Sequence, residues 1–156
     1  MKIIEGNKKV KNLRFAVIQS KFNENICERL LAGTLSCLRG YGLDENQIII
    51  IKVPGAFEIP LIAEKLAEQK KYDAIICLGA VIKGETAHFE FISKAAADGI
   101  LQVGLKYGIP VIFGVLTAYT EEQAEVRAGE KQNNKGWEAA ETAVEMSNLL
   151  KKLNKF

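Results

Sequence analysis

Four nearly continuous apolar runs, separated by longer segments of helical period, constrain the fold of this chain more than any other feature. LRFAVIQS (13–20), QIIIIKV (47–53), DAIICLGA (73–80) and PVIFGVL (110–116) have the pattern of parallel strands covered on both faces, without the alternation of a sheet that is wet on one side. Between them, Ile26, Leu30, Leu31, Leu35 and Leu38, then Ile59, Ile62 and Leu66, then Phe89, Ile92, Ala96, Ile100 and Val103 recur at helical spacing, as crossover helices do. Thr120 with Gln123 predicts a capping box for a short helix ending at Gly129, and Trp137, Ala140, Val144 and Leu150 mark a C-terminal helix. The expectation is an α/β fold around a four-stranded parallel sheet. MKIIEG at 1–6 offers a further N-terminal edge strand.

No repeat, low-complexity stretch or Pro/Gly/Ser linker interrupts this pattern, and 156 residues are the length of one ordinary domain. A single domain over 1–156 is expected. The 21 basic and 19 acidic side chains give a net charge of +2, and no basic block argues for nucleic acid. No apolar run reaches the length of a membrane span, and the first fifteen residues are too charged for a signal peptide, so a soluble cytoplasmic protein without membrane partners is expected. Cys27, Cys37 and Cys77 are odd in number, widely spaced and set in apolar segments, as buried free thiols would be.

In open parallel sheets the ligand crevice lies beyond the carboxyl ends of the strands. Here those ends run into SKFNEN, VPGAFEIP, GAVIKGETAH and TAYTEEQ. Phe22 and Phe57 fall at strand ends rather than on helix stripes, either to stack on a flat heterocycle or to anchor their loops. In VPGAFEIP, Gly55 and Pro60 form a stiff elbow around Glu58. Glu58 is either an ordinary residue at a helix start or an acceptor for ligand hydroxyls. GETAH is more specific: a turn at Gly84 leaves the N–H groups of Glu85 and Thr86 unpaired at a helix mouth, an anion site by construction. His88, the only histidine, falls in that helix's first turn, where the positive dipole end favours a neutral imidazole that can serve as a base. A base beside an anion site suggests a phosphorylated substrate. Arg127 and Lys135 could hold phosphate, although Arg127 equally suits a helix C-terminus and Lys135 a solvated surface.

KFNENI, VPGAFEIP, GAVIKGETAHFEFI, GIPVIFGVLT and RAG followed by NKGWEAA, in this order and spacing, resemble the 6,7-dimethyl-8-ribityllumazine synthase family over essentially the whole chain. The resemblance implies a flavodoxin-like three-layer α/β subunit in homopentamers, which in some members build decamers or icosahedral shells, with each active site between neighbouring subunits. It implies condensation of 5-amino-6-(D-ribitylamino)uracil with 3,4-dihydroxy-2-butanone 4-phosphate, a step of riboflavin biosynthesis that uses no metal or organic cofactor. It assigns Phe22 and Phe57 to stacking, Ala56, Phe57 and Glu58 to the ribityl chain, and the backbone of Ala80, Val81 and Ile82 to the heterocycle. Gly84, Glu85 and Thr86 are similar to its phosphate turn and His88 to its proton-transfer residue. Phe113 and Arg127 resemble residues contributed by the adjacent subunit, with Lys135 as a helper.

The chain departs from the family where shells are built. Glu121 and Glu125 stand where shell-forming relatives present apolar residues, Tyr119 replaces a usual acidic residue, and Asn133 replaces a glycine. Like charges brought together between pentamers oppose closure, so a pentamer is expected over a shell. The alternative is a catalytically silent or engineered member serving as an assembly or flavin-binding module. A generic flavodoxin-like nucleotide-binding domain fits less well, because QSKFNEN lacks a phosphate cradle.

Overall fold

The computed structural model describes residues 1–155. Four strands, β1 (Phe15–Ser20), β2 (Ile48–Val53), β3 (Ala74–Ile82) and β4 (Val111–Ala118), alternate with five helices, α1 (Glu24–Gly40), α2 (Ile59–Glu68), α3 (His88–Tyr107), α4 (Glu121–Arg127) and α5 (Lys135–Leu153). All strand pairs are parallel, in the order β2-β1-β3-β4. Phe15 and Val17 pack into one apolar core with α1 and α5, while Ala16 and Ile18 pack into a second with α2 and α3. The result is the expected three-layer α/β arrangement. The chain turns left from β1 to β2 and right from β2 to β3, which puts the switch point beside β1, where such sheets bind ligands.

The strand ends differ from the sequence expectation for identifiable reasons. Gln47 is spent before β2, closing a short 3-10 turn in which its side chain caps the Asp44 amide at 3.0 Å. β3 and β4 run on through Ile82 and Ala118 because Val81 and Ile82 pair with Thr117 and Ala118. β2 is not covered on both faces: it is an edge strand, and Ile49 and Ile50 remain exposed on opposite sides. The N-terminal edge strand is absent. Residues 1–10 form no strand and instead lie along α5, where Asn148 Nδ2 donates to the carbonyls of Asn7 and Lys9 and Lys152 Nζ to that of Glu5. Gly6 rests on Glu145, leaving no room for a side chain.

Lys8 and Tyr41 fasten this segment further, donating to the same Glu141 oxygen at 3.0 and 2.6 Å. The Tyr41 hydroxyl first, and Lys8 with it, hold the Glu141 carboxyl below the usual range. A carboxyl depressed in the folded state stabilises above its unfolded pKa, and that contribution is lost as pH falls through the folded one. Tyr41→Phe should therefore flatten the loss of stability below about pH 4, read from denaturant melts across that range.

The short helix after β4 begins as expected at Thr120, whose hydroxyl accepts from the Gln123 amide at 3.2 Å. The reciprocal half of the box is shifted by one residue: Gln123 Oε1 accepts from Tyr119 N. The left-handed residue in the following loop is Lys131, at φ 45°. α5 starts at Asn134, which is 3% exposed and uses its whole amide. Its oxygen accepts from the amides of Gly136 and Trp137, and its nitrogen donates to the carbonyls of Arg29 and Gly129. Gly136 is required beside it, since a Cβ there would lie 2.0 Å from the Leu30 carbonyl oxygen. Asn134→Ala removes a cap and takes the Asn134 donor from two half-buried carbonyls, those of Arg29 and Gly129. We expect a loss of about 2 kcal/mol in denaturant unfolding.

All three cysteines are free and buried. Burial pushes the Cys27 thiol up to about 11 and the Cys37 thiol to about 12. Among the described residues no helix is long and apolar enough to cross a membrane.

Candidate functional site

The carboxyl ends of β1, β2 and β3 open into a cleft of about 710 Å³. Its walls bring together most of the residues singled out from the sequence: Phe22, Ala56, Phe57, Glu58, Ala80, Val81, Ile82, Gly84, Thr86 and His88. Pro54, Phe89 and Ile92, which the motif reading did not single out for the site, line it too.

Phe22 and Phe57 are 71% and 58% exposed, more than loop-anchoring hydrophobes would be, and leave apolar faces open to a flat ligand. Phe22 follows β1 in a loop fixed to the β2 exit by Lys21 N to Val53 O at 2.8 Å and Phe22 N to Pro54 O at 3.1 Å. The same loop is fixed to β3 by Asn23 Nδ2 to Ala80 O at 2.8 Å. Phe57 sits at the centre of a 3-10 turn, Ala56–Glu58, whose first residue is buried in the core while its second points out. Glu58 is the N-cap of α2 but accepts no capping bond. A Cβ at Gly55 would stand 3.1 Å from Glu58 Oε2, so the glycine leaves the carboxylate its room. Glu58 keeps its acceptor capacity for another donor.

β3 outruns β1 at the cleft floor. Their last paired residues are Gln19 and Leu78, whereas β3 continues to Ile82 with only β4 beside it. The flank of Ala80–Ile82 on the cleft side therefore has no strand partner, and backbone groups of that flank can read the edge of a planar ligand. The turn beyond it is exposed, and the N–H groups of Glu85 and Thr86 make no hydrogen bond among the described residues. Gly84 is not in the left-handed region, and a Cβ there would meet nothing within 4 Å. The chain does turn here, through bends at Glu85 and Thr86, but neither backbone conformation nor crowding inside the chain requires a glycine at 84. Glu85 does not line the cleft. His88 is the first residue of α3, exposed, with its own amide 3.4 Å from Thr86 Oγ1 and its ring free of protein partners among the described residues. Tyr119 packs at this rim, its ring 6.0 Å from Phe89 and 5.7 Å from Lys83 Nζ.

The other three candidates stand elsewhere. Phe113, Arg127 and Lys135 line a second cleft, of about 530 Å³, along the open edge of β4, together with Glu138 and Thr142. The two linings share no residue. Phe113 is 44% exposed. Arg127 Nη1 donates to the Gln123 carbonyl at 3.1 Å, as a residue in the last turn of a helix can, and its remaining donors are open among the described residues. Lys135 Nζ meets Glu138 Oε2 at 2.6 Å. Among the described residues no group of three His, Cys, Asp or Glu side chains is placed to hold a metal ion.

Asn23, Asn134 and Glu138 were not found from the sequence. Asn23 stands beside Phe22 in KFNENI, but only its backbone at φ 54° and its bond to a residue 57 positions away distinguish it. Comparison with protein families finds that the model of 6,7-dimethyl-8-ribityllumazine synthase matches residues 12–151.

Proposed function

The chain belongs to the 6,7-dimethyl-8-ribityllumazine synthase family, and from that premise we propose that it condenses 5-amino-6-(D-ribitylamino)uracil with 3,4-dihydroxy-2-butanone 4-phosphate. The family is one of transferases of riboflavin biosynthesis, acting on small molecules as homo-oligomers. The observation that carries the reading is the co-location, in one cleft, of two open aromatic faces, a strand end with no strand partner on the cleft side, the turn at Gly84 and Thr86, and His88.

In this reading the pyrimidine stacks against Phe22 and Phe57 and is read by the backbone of Ala80, Val81 and Ile82. The ribityl hydroxyls meet Ala56, Phe57 and Glu58, and the phosphate meets Gly84, Glu85 and Thr86. The substrate's own amine attacks the ketone, so the protein supplies no nucleophile and mainly orients and moves protons. Imine formation releases water. Phosphate then leaves with its electron pair, and His88 takes and returns the protons that let the ring close with loss of a second water. Arg127 and the turn amides stabilise the departing phosphate.

Phe113, Arg127 and Lys135 belong to the neighbouring copy's site, where they close its first cleft. Support comes from their separation from His88 within one chain and from the apolar surface left open: Ile49 and Ile50 on one edge strand, Phe113 on the other, and Phe91, Leu101 and Leu105 along α3. A ring of five copies satisfies this head-to-tail contact. Glu121 and Glu125 are exposed on α4, where like charges oppose stacking of rings into a shell. Light scattering should give a pentamer-sized particle, and one of about sixty copies would contradict this account of α4.

The test of the activity is incubation with both substrates while lumazine absorbance and fluorescence are followed. A rate above the uncatalysed reaction is expected. No gain over that background would favour a catalytically silent assembly or flavin-binding module.

A further inference from the structure

The aromatic wall of the first cleft stands on a loop that would not hold its position by packing alone. Phe22 is largely exposed, so its ring contributes little burial to fix the loop beneath it. Beside the backbone bonds from Lys21 and Phe22 to the β2 exit, two side-chain contacts do that work. Asn23 is half-buried and left-handed, at φ 54° and ψ 50°, and its amide nitrogen reaches the Ala80 carbonyl at 2.8 Å. Cys27, fully buried one turn into α1, places its sulfur 3.2 Å from the Phe22 carbonyl. Asn23 makes no side-chain capping bond to α1, the usual role of an asparagine at that position. Its amide is spent across the crevice, on the strand whose open flank forms the floor.

We propose that Asn23 is a positioning residue for the heterocycle: by tying the Phe22 loop to the end of β3, it fixes the spacing between the stacking wall and the backbone that reads the ligand edge. Asn23 does not line the cleft and acts through Phe22. A left-handed backbone costs a non-glycine residue free energy that the surrounding structure must repay, and asparagine tolerates it with a donor to spare. An aspartate of the same shape would set a carboxylate against the Ala80 carbonyl, and a glycine would keep the backbone but lose the tie. The role rests on the lumazine synthase reading for the identity of the ligand, though not for the tie itself.

Two readouts keep those parts apart. Asn23→Gly and Asn23→Asp are compared with the unaltered protein in steady-state kinetics with each substrate varied in turn. The proposal expects KM for the ribitylaminouracil to rise about tenfold while KM for the butanone phosphate stays within about twofold, because the Gly84–Thr86 turn does not depend on the tie. A variant that loses only stability, with both KM values unchanged, would overturn it. Native-state alkylation by iodoacetamide, mapped by mass spectrometry, reads the loop without any turnover. Cys27 should label faster in both variants while Cys37 and Cys77, buried elsewhere in the two cores, stay protected. Equal exposure of all three would mean global loosening, and unchanged protection of Cys27 would mean that the loop needs no tie; either result overturns the proposal. If the unaltered protein makes no lumazine, the functional reading fails, and the alkylation pattern still decides whether Asn23 holds the loop.

Discussion

Replacing Arg127 by alanine is expected to lower kcat/KM for the butanone phosphate by about a hundredfold or more while leaving KM for the ribitylaminouracil nearly unchanged. Arg127 is the guanidinium of the second cleft, and one of its nitrogens is already spent on the Gln123 carbonyl. That bond points the group and leaves the rest of its fork for an anion. The first cleft offers phosphate the backbone N–H donors of the turn with the Thr86 hydroxyl and the His88 ring, and among the described residues no Lys or Arg lines it. Charge build-up on the leaving phosphate is therefore met by dipoles there and by a full positive charge only if Arg127 arrives from elsewhere. Folding should change little, since Arg127 is exposed at the end of a short helix. Thermal melts beside the kinetics check this, and a variant with normal kcat/KM would remove Arg127 from phosphate handling.

His88→Ala should slow turnover by about tenfold to a hundredfold, at the lower end of what a positioned acid or base supplies. The lower end follows from geometry. His88 is exposed at the mouth of α3 with no protein partner on its ring among the described residues, so water can enter and carry part of the proton traffic. The nucleophile belongs to the substrate, so losing the imidazole removes a helper and leaves the bond-forming groups in place. KM values and the melting temperature should stay close to those of the unaltered protein. Wild-type turnover would exclude His88 from the mechanism, and a lost phosphate affinity would reassign it to binding.

The two sites of loss lie in different clefts of one chain, which separates what was legible in the sequence from what was not. The sheet was legible because its strands carry unbroken apolar runs, which β1 and β3 bury on both faces while the edge strand β2 leaves Ile49 and Ile50 exposed, and the first cleft because its residues sit at strand ends within three short motifs. The depth of the cleft was not: it depends on β3 outrunning β1 beyond the Gln19–Leu78 pair, a register difference that no local pattern encodes. MKIIEG has the apolar content of an edge strand, yet in this chain Asn148, Lys152 and Glu141 hold residues 5–9 on α5. Those long-range bonds outweigh local propensity. Asn23 and Asn134 look like ordinary loop asparagines. Their roles come from carbonyls of residues distant in sequence, Ala80 and Arg29. Gly84 read as a turn residue, and only the structure shows that its surroundings are open.

The central claim is that this chain makes lumazine at a site built from the first cleft of one copy and the second cleft of its neighbour. Complementation tests it directly. His88→Ala and Arg127→Ala proteins, each keeping about a tenth of the activity or less, are dissociated, mixed in equal amounts and allowed to reassemble. If each site takes His88 from one copy and Arg127 from the next, half of the copies offer an intact first cleft and half of their neighbours an intact second one. The mixture should then recover about a quarter of the unaltered activity, as random assembly in a ring requires. Activity no higher than the mean of the two separate variants, in a mixture shown to have exchanged subunits, would contradict the shared site.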